Sequence, residues 1–286
     1  KRLRVSEKEI LITPGSDFGY RVCFEFFCKK RKNIISLEPT FGMVEVYVKL
    51  NNLKKKGVGY DKNLKLKLND LFKHINNKVA LITLANPNSP TGTIINKQNI
   101  LDIIKKAQKY NIPVLIDEAY YGFYNYSFIR EINKFKNLII LRTFSKSYGL
   151  AGLRAGYIIS NETIIKELFK FKPMYEINSI ACKVLEIFLK NKDLEKSFIK
   201  EVLDGKNYFQ KELDKLNLKY LDTKANFIHV NLKNKKKLIE KKLKDKKILT
   251  RKGPGVKGFE SFLRFTLGPR EEMKRVIDVL KSYVWA

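Results

Sequence analysis

The chain has 286 residues, 44% of them hydrophobic, enough for one large or two medium cores. Its formal net charge is +29, but the lysines are spread along the whole chain among asparagines and isoleucines. That bias suits anionic small molecules and argues against a specific nucleic-acid surface, and no apolar run reaches the about 18 residues of a membrane span. In chain order, short apolar runs at Ile10–Thr13, Asn33–Leu37, 79–84, 114–116 and 138–141 predict buried strands. Between them, 17–27 and 97–110 carry helical spacing. This alternation predicts an α/β fold with a mostly parallel sheet. A helical pattern at 162–171 ends at Pro173. Helix at 178–189, further helix, and strands at 227–232 and 261–267 then predict a smaller α+β body. The lysine-rich stretch 233–247 carries Leu238, Ile239 and Leu243 and reads as an amphipathic helix with a solvated basic face. The division is placed near residue 172, giving a large domain at 1–172 and a small one at 173–286.

No charged-then-apolar signal opens the sequence. Three cysteines are too few for a disulfide framework. Cys23 and Cys28 share an apolar stripe with Phe24 and Phe27 and read as buried thiols of a cytoplasmic protein. His74 and His229 lack partners at ligand spacing, so no metal site is expected.

The chemistry concentrates at strand ends. Gly15-Ser16-Asp17 follows a strand and opens a helix, which makes an anion site or a simple N-cap by Ser16 or Asp17. A rigid loop, Asn86-Pro87-Asn88-Ser89-Pro90-Thr91-Gly92, follows another strand, where α/β proteins place ligands. Asp117 ends the run Val114-Leu115-Ile116, and a carboxylate there needs a partner. Lys146 lies in Thr143-Phe144-Ser145-Lys146-Ser147-Tyr148-Gly149, with Arg154 two helical turns downstream. Thr143, Ser145 and Arg154 can hold a phosphate, and a lysine beside them can have a depressed pKa and act as a nucleophile. A lysine, an aspartate and Tyr120 delivered by separate strand ends suit one cofactor, pyridoxal 5′-phosphate (PLP).

Together these pieces resemble the fold-type I PLP-dependent aminotransferases, and among them the histidinol-phosphate aminotransferase group. Further matches are Pro39-Thr40-Phe41-Gly42-Met43, Ala225-Asn226-Phe227-Ile228 and Leu263-Arg264-Phe265-Thr266-Leu267-Gly268, all in the family's order. The resemblance implies that Lys146 carries the cofactor and moves the proton. It implies that Asp117 pairs with the pyridine nitrogen and Tyr120 with the phenolic oxygen. Ser16, Asp17, Thr143, Ser145 and Arg154 would surround the phosphate, the first two partly through backbone N–H groups. Phe41 would stack on the ring. Arg264 would clamp a substrate α-carboxylate, and Arg251 a second, distal anion on a phosphorylated or dicarboxylate substrate. The resemblance further implies a homodimer. Two departures stand out. Ser89 occupies a position where relatives carry asparagine, which leaves Asn88 and Ser89 to approach the phenolic oxygen. Relatives also carry a longer segment before the Gly15 strand, so the sequence reads as lacking that arm.

The leading expectation is amino transfer between glutamate or 2-oxoglutarate and a phosphorylated small substrate. Decarboxylation of a phosphorylated amino acid is the alternative on the same scaffold, and a non-catalytic basic binding protein is a third. The segment 172–178, with Met174 and Glu176, is expected to pass the pocket and tune the substrate.

Overall fold

The computed structural model describes residues 3–284. Its larger sheet contains β1 (Ile10–Thr13), β2 (Asn33–Leu37), β3 (Lys54–Val58), β4 (Val79–Ala85), β5 (Val114–Asp117), β6 (Leu138–Thr143) and β7 (Gly156–Ser160). Their spatial order is β1-β7-β6-β5-β4-β2-β3. Strands β6, β5, β4, β2 and β3 run parallel, while β7 lies antiparallel between β1 and β6. The accompanying helices are α1 (Gly15–Phe27), α2 (Met43–Leu50), α3 (Leu68–His74), α4 (Lys97–Gln108) and α5 (Glu162–Phe169).

Every residue of β4, β5 and β6 is buried, which is why these strands read as unbroken apolar runs. Alternate residues enter opposite cores, as the two-residue period of a strand requires. Ile82 and Leu84 pack with Ile100, Ile103 and Ile104 of α4. Leu81, one residue before Ile82 and so on the opposite face, packs with Tyr20, Val22 and Phe24 of α1. Cys23 and Cys28 are buried in this second core, and burial pushes both thiols up, Cys28 to about 12.

The smaller sheet is antiparallel throughout. It contains β8 (Tyr220–Leu221), β9 (Phe227–Asn231), β10 (Arg251–Lys252) and β11 (Phe262–Thr266), in the order β10-β11-β9-β8. Helices α6 (Ser179–Lys190), α7 (Lys192–Lys215), α8 (Lys236–Asp245) and α9 (Arg270–Val284) complete the chain. Phe209, Ile228, Leu263 and Ile277 join α7, β9, β11 and α9 in a third core. Leu185 of α6 belongs instead to the core of the larger sheet. No helix among the described residues is long and apolar enough to cross a membrane.

Two strands escape the apolar pattern. Strand β3 reads Lys-Lys-Lys-Gly-Val and forms the parallel edge beside β2. Lysines suit an edge, because their charge discourages pairing with another chain. Strand β10 is only two residues long, and its pairing with β11 is what holds Arg251. Arg251 therefore sits on a strand, and irregular chain through Gly253-Pro254-Gly255 follows it.

Helix α7 packs against α9 with Gly205 at its closest approach to the chain before α9. A Cβ there would lie 2.0 Å from the Gly268 carbonyl oxygen. Gly205→Ala should gain about 1 kcal/mol of helix propensity but lose more to overpacking, a net cost of about 1–3 kcal/mol. A chemical denaturation curve reads this directly, and an unchanged or raised midpoint would contradict it.

Candidate active site

The carboxyl ends of β4, β5 and β6, the first turn of α1, and strands β10 and β11 enclose a cavity of about 540 Å³. This is the end of a parallel sheet where ligands are bound. Ser16, Asp17, Phe41, Ser89, Asp117, Tyr120, Thr143, Ser145, Lys146, Arg154, Arg251 and Arg264 all line it. The larger sheet and its loops supply the first ten, and the smaller sheet supplies the last two. Asn88 is the predicted residue that the fold does not bring to the wall. It is fully buried, with Nδ2 2.9 Å from each of the Pro39 carbonyl, the Tyr60 hydroxyl and the Thr91 hydroxyl, which share its two N–H donors, and it accepts from Thr40 at 3.0 Å. Its side chain braces the loop from behind, so the expected cofactor contact is corrected to a structural one.

One end of the cavity is built for an anion. Helix α1 starts after Pro14 with no side-chain cap, so the N-cap reading of Ser16 or Asp17 does not hold and first-turn N–H groups are left for a ligand. The Asp17 carboxylate is instead engaged by the Tyr47 hydroxyl at 3.0 Å. Thr143 and Ser145 hydroxyls lie 3.0 Å apart beside it. Arg154 has φ 50° and ψ 55°, a left-handed conformation that costs a non-glycine residue energy and recurs at functional sites. The stretch from Lys146 to Arg154 is not two helical turns. It is a loop ending in a short 3-10 turn, Ala151–Leu153, which delivers Arg154 to the α1 terminus. Gly156 makes this possible, since a Cβ there would sit 2.6 Å from Gly15 and Ser16 backbone atoms.

Asp117 and Lys146 face the middle of the cavity. Burial pushes the Asp117 carboxyl up to about 6, against the pull of the Ala119 N–H at 2.9 Å and the neighbouring Tyr20 phenol. No basic side chain among the described residues forms a salt bridge with it. Its neighbour Glu118 faces the other way and is held by Arg142 at 2.9 Å, by Ser127 and by the Phe128 N–H. That buried pair fixes the backbone from which Asp117 projects. Lys146 Nζ stands 5.6 Å over the Tyr120 ring. Burial lowers its pKa, Arg264 lowers it further, and Asp117 opposes both. A larger share of neutral amine is the result.

The other end carries the two arginines. Arg251 and Arg264 are directly opposite each other in the β10–β11 ladder. Like charges in that register destabilise a sheet unless something anionic bridges them. Arg264 Nη1 donates to Ser89 Oγ at 3.3 Å, and its guanidinium lies 4.9 Å from the Phe227 ring centroid. Its Nε is buried with no hydrogen-bond partner among the described residues.

The model of the family described as "Aminotransferase class I and II" matches residues 2–280. The chain belongs to the class I and II aminotransferases. It is 38% identical to a histidinol-phosphate aminotransferase of Clostridium novyi over 97% of this chain and 77% of that one. Against the Caldanaerobacter subterraneus histidinol-phosphate aminotransferase the identity is 32%, over 97% and 78%. Among solved structures, the Clostridium acetobutylicum histidinol-phosphate aminotransferase superposes with a TM-score of 0.89 at 23% identity, covering 99% of this chain and 85% of that one. The Sinorhizobium meliloti histidinol-phosphate aminotransferase, solved with pyridoxal 5′-phosphate, gives 0.89 at 21%, over 99% and 78%.

The aminotransferase family is PLP-dependent, and this cavity fits that cofactor. A buried carboxylate without a salt-bridge partner among the described residues, a desolvated amine and an uncapped helix terminus complement PLP's ring nitrogen, aldehyde and phosphate. The expectation for the segment 172–178 needs correction. Met174 is 78% exposed, and neither it nor Glu176 lines the cavity. The Glu176 side chain is buried 3.9 Å from Lys172, outside the site. Sequence inspection also missed Tyr20, Tyr60 and His229. Tyr20 is a fully buried phenol beside Asp117 with its ring 5.8 Å from Phe41. His229 lies between Ile228 and Val230 and looks like ordinary core, while Tyr20, between Gly19 and Arg21, and Tyr60, between Gly59 and Asp61, belong to no motif, so only the tertiary structure shows what they touch.

Proposed function

We propose that this aminotransferase moves an amino group between glutamate or 2-oxoglutarate and a phosphorylated substrate of the histidinol-phosphate type. The observation that carries this is the pair of guanidiniums opposite each other on β10 and β11, at the far end of the cavity that holds Lys146 and Asp117. A single anion needs one arginine. A pair suits substrates with two anionic ends, or a phosphate, and the relatives' names supply the phosphorylated partner.

In this reading Ser16, Asp17 and Arg154 hold the cofactor phosphate with Thr143 and Ser145, the helix terminus acting through its N–H groups. Phe41 covers the ring, Asp117 holds the ring nitrogen's proton by ion pairing, and Tyr120 with Ser89 orients the phenolic oxygen. When bound, PLP supplies a conjugated ring that takes up the electron pair released at the substrate Cα. Lys146 Nζ, whose pKa burial lowers, takes the proton from that Cα and returns it. Arg264 fixes the α-carboxylate, and Arg251 the distal anion. We further propose two domains, 1–172 and 173–286, acting as a homodimer. Sedimentation of the active enzyme as a monomer would exclude the dimer.

The purified protein, PLP, histidinol phosphate and 2-oxoglutarate should yield glutamate without carbon dioxide. Carbon dioxide release without any need for 2-oxoglutarate would replace this reading with decarboxylation. The arginines should separate in the same assay. Arg264→Lys loses the two-pronged donor and should impair every carboxylate substrate by about tenfold to a hundredfold. Arg251→Ala should chiefly raise KM for substrates with a second anion. Equal impairment of substrates with and without a second anion by Arg251→Ala would refute the division.

A further inference from the structure

His229 is fully buried on β9, directly opposite Arg264 of β11. Arg264 is in turn directly opposite Arg251. Residues opposite each other share a sheet face, so Arg251, Arg264 and His229 form one row across three strands. The row faces the 86–92 loop at the end of β4. His229 Nε2 lies 2.8 Å from the Pro90 carbonyl oxygen, and Arg264 Nη1 lies 3.3 Å from Ser89 Oγ, one residue earlier in that loop. The His229 ring also stands edge-on to Phe227 at 5.4 Å, and Phe227 lies under the Arg264 guanidinium.

A carbonyl only accepts, so Nε2 carries the proton and donates. Nδ1 is buried and makes no hydrogen bond among the described residues. Burial pushes the imidazole down to about 4, with Arg264 acting in the same direction and Pro90 opposing. The ring is therefore a neutral donor of fixed tautomer at ordinary pH. It adds no charge to a row that already holds two guanidiniums.

We propose that His229 is a positioning residue for the substrate carboxylate: by tying the smaller sheet to the Pro90 carbonyl, it sets the distance and angle at which Arg264 meets a carboxylate in the cavity. This rests on the reading of Arg264 as the carboxylate clamp. A loop of the larger sheet carries Ser89 and Pro90, while the smaller sheet carries Arg264 and His229. The two donors bind adjacent residues of one loop, so they fix both the separation of the sheets and the tilt of β11. Arg264 Nη1 alone would act as a hinge. The second bond, from a strand hydrogen-bonded to β11, removes the rotation.

Calorimetric titration of the PLP-loaded protein with maleate, a dicarboxylate that cannot react, tests this. The variants are His229→Leu, His229→Gln and His229→Asn, with Arg264→Lys as reference. A glutamine amide reaches to about where Nε2 lies, whereas an asparagine amide reaches only to Nδ1, so the two differ in reach and not in polarity. His229→Leu and His229→Asn should weaken maleate by about tenfold, the scale of one hydrogen bond, and raise KM for glutamate similarly. His229→Gln should restore binding to within about threefold of the parent. The cofactor's visible absorbance band and its retention on dialysis should be unchanged in all three. Parent-like maleate binding in His229→Leu, equal weakness of the glutamine and asparagine variants, or cofactor loss in parallel with maleate would overturn the proposal. If Arg264→Lys itself binds maleate normally, the clamp reading falls and this inference with it. If Arg264→Lys weakens maleate and His229→Leu does not, this inference alone falls.

Discussion

Lys146→Ala should lose turnover by about four orders of magnitude, the upper range for removal of a positioned acid–base group, while the protein keeps its fold. The amine has two tasks in the proposed mechanism, anchoring the cofactor and moving the Cα proton, and one substitution removes both. The local environment explains why no other lysine of this strongly basic chain can take over. Lys146 is the lysine that lines the cavity, and burial together with Arg264 lowers its pKa. Arginine would not rescue it, because a guanidinium stays protonated and cannot accept the proton. Stability should be held or raised. A lysine whose folded pKa lies below its unfolded value penalises the folded state when protonated, so alanine removes a cost at neutral pH. Two measurements are needed: single-turnover kinetics with glutamate, and borohydride treatment followed by mass analysis of the Lys146 peptide. Turnover within tenfold of the parent, or a cofactor adduct still fixed by borohydride at another lysine, would remove Lys146 from the centre of the reaction.

The strands that deliver Lys146 and Asp117 were legible in the sequence because β4, β5 and β6 are buried on both faces and read as uninterrupted apolar runs. A polar residue ending such a run has few places to go except the sheet's carboxyl edge. The same logic fails for β3, whose lysines hide a strand that pairs on one side only. It fails again for β10, since two residues carry no periodicity and the register with β11 is a long-range fact. The row of Arg251, Arg264 and His229 depends on that register across three strands, so His229 looked like an isolated core histidine. Asn88 shows the converse. Its place in a polar loop suggested a ligand contact, but Pro39, Tyr60 and Thr91 take up its N–H donors and Thr40 donates to its carbonyl oxygen. Sequence position marks a loop as near the site; only packing decides which of its side chains turn inward.

Asp117→Asn should act in opposite directions on stability and on catalysis. In cofactor-stripped protein the carboxyl is buried, has no ionic partner among the described residues, and is pushed up from an ordinary 3.8 to about 6. Below about pH 4 the group is protonated in both folded and unfolded chains and contributes no pH dependence. Between about pH 4 and 6 the unfolded carboxyl ionises first, so the parent loses stability as pH rises. Above about pH 6 the full penalty stands, up to about 3 kcal/mol, since each tenfold change in proton affinity is worth roughly 1.4 kcal/mol. Asparagine mimics the neutral carboxyl and can still accept from the Ala119 N–H. The stripped variant should therefore match the parent near pH 4 and exceed it at pH 7.5, as read from urea unfolding at the two pH values. Catalysis should move the other way. A cationic ring nitrogen against Asp117 satisfies the buried charge and keeps the ring an effective electron sink, and asparagine cannot hold that proton by ion pairing. The loss in kcat should be about a hundredfold to a thousandfold, the scale for removing one preorganised electrostatic group. Cofactor retention should fall less, because the α1 terminus, Thr143, Ser145 and Arg154 still bind the phosphate. Equal stability gains at both pH values would show that Asp117 is not the group titrating, and an unchanged kcat would assign the electron-sink role elsewhere. If both signs appear as stated, the stability given up by burying Asp117 is the counterpart of its catalytic effect. The ion pair with the cofactor then recovers it.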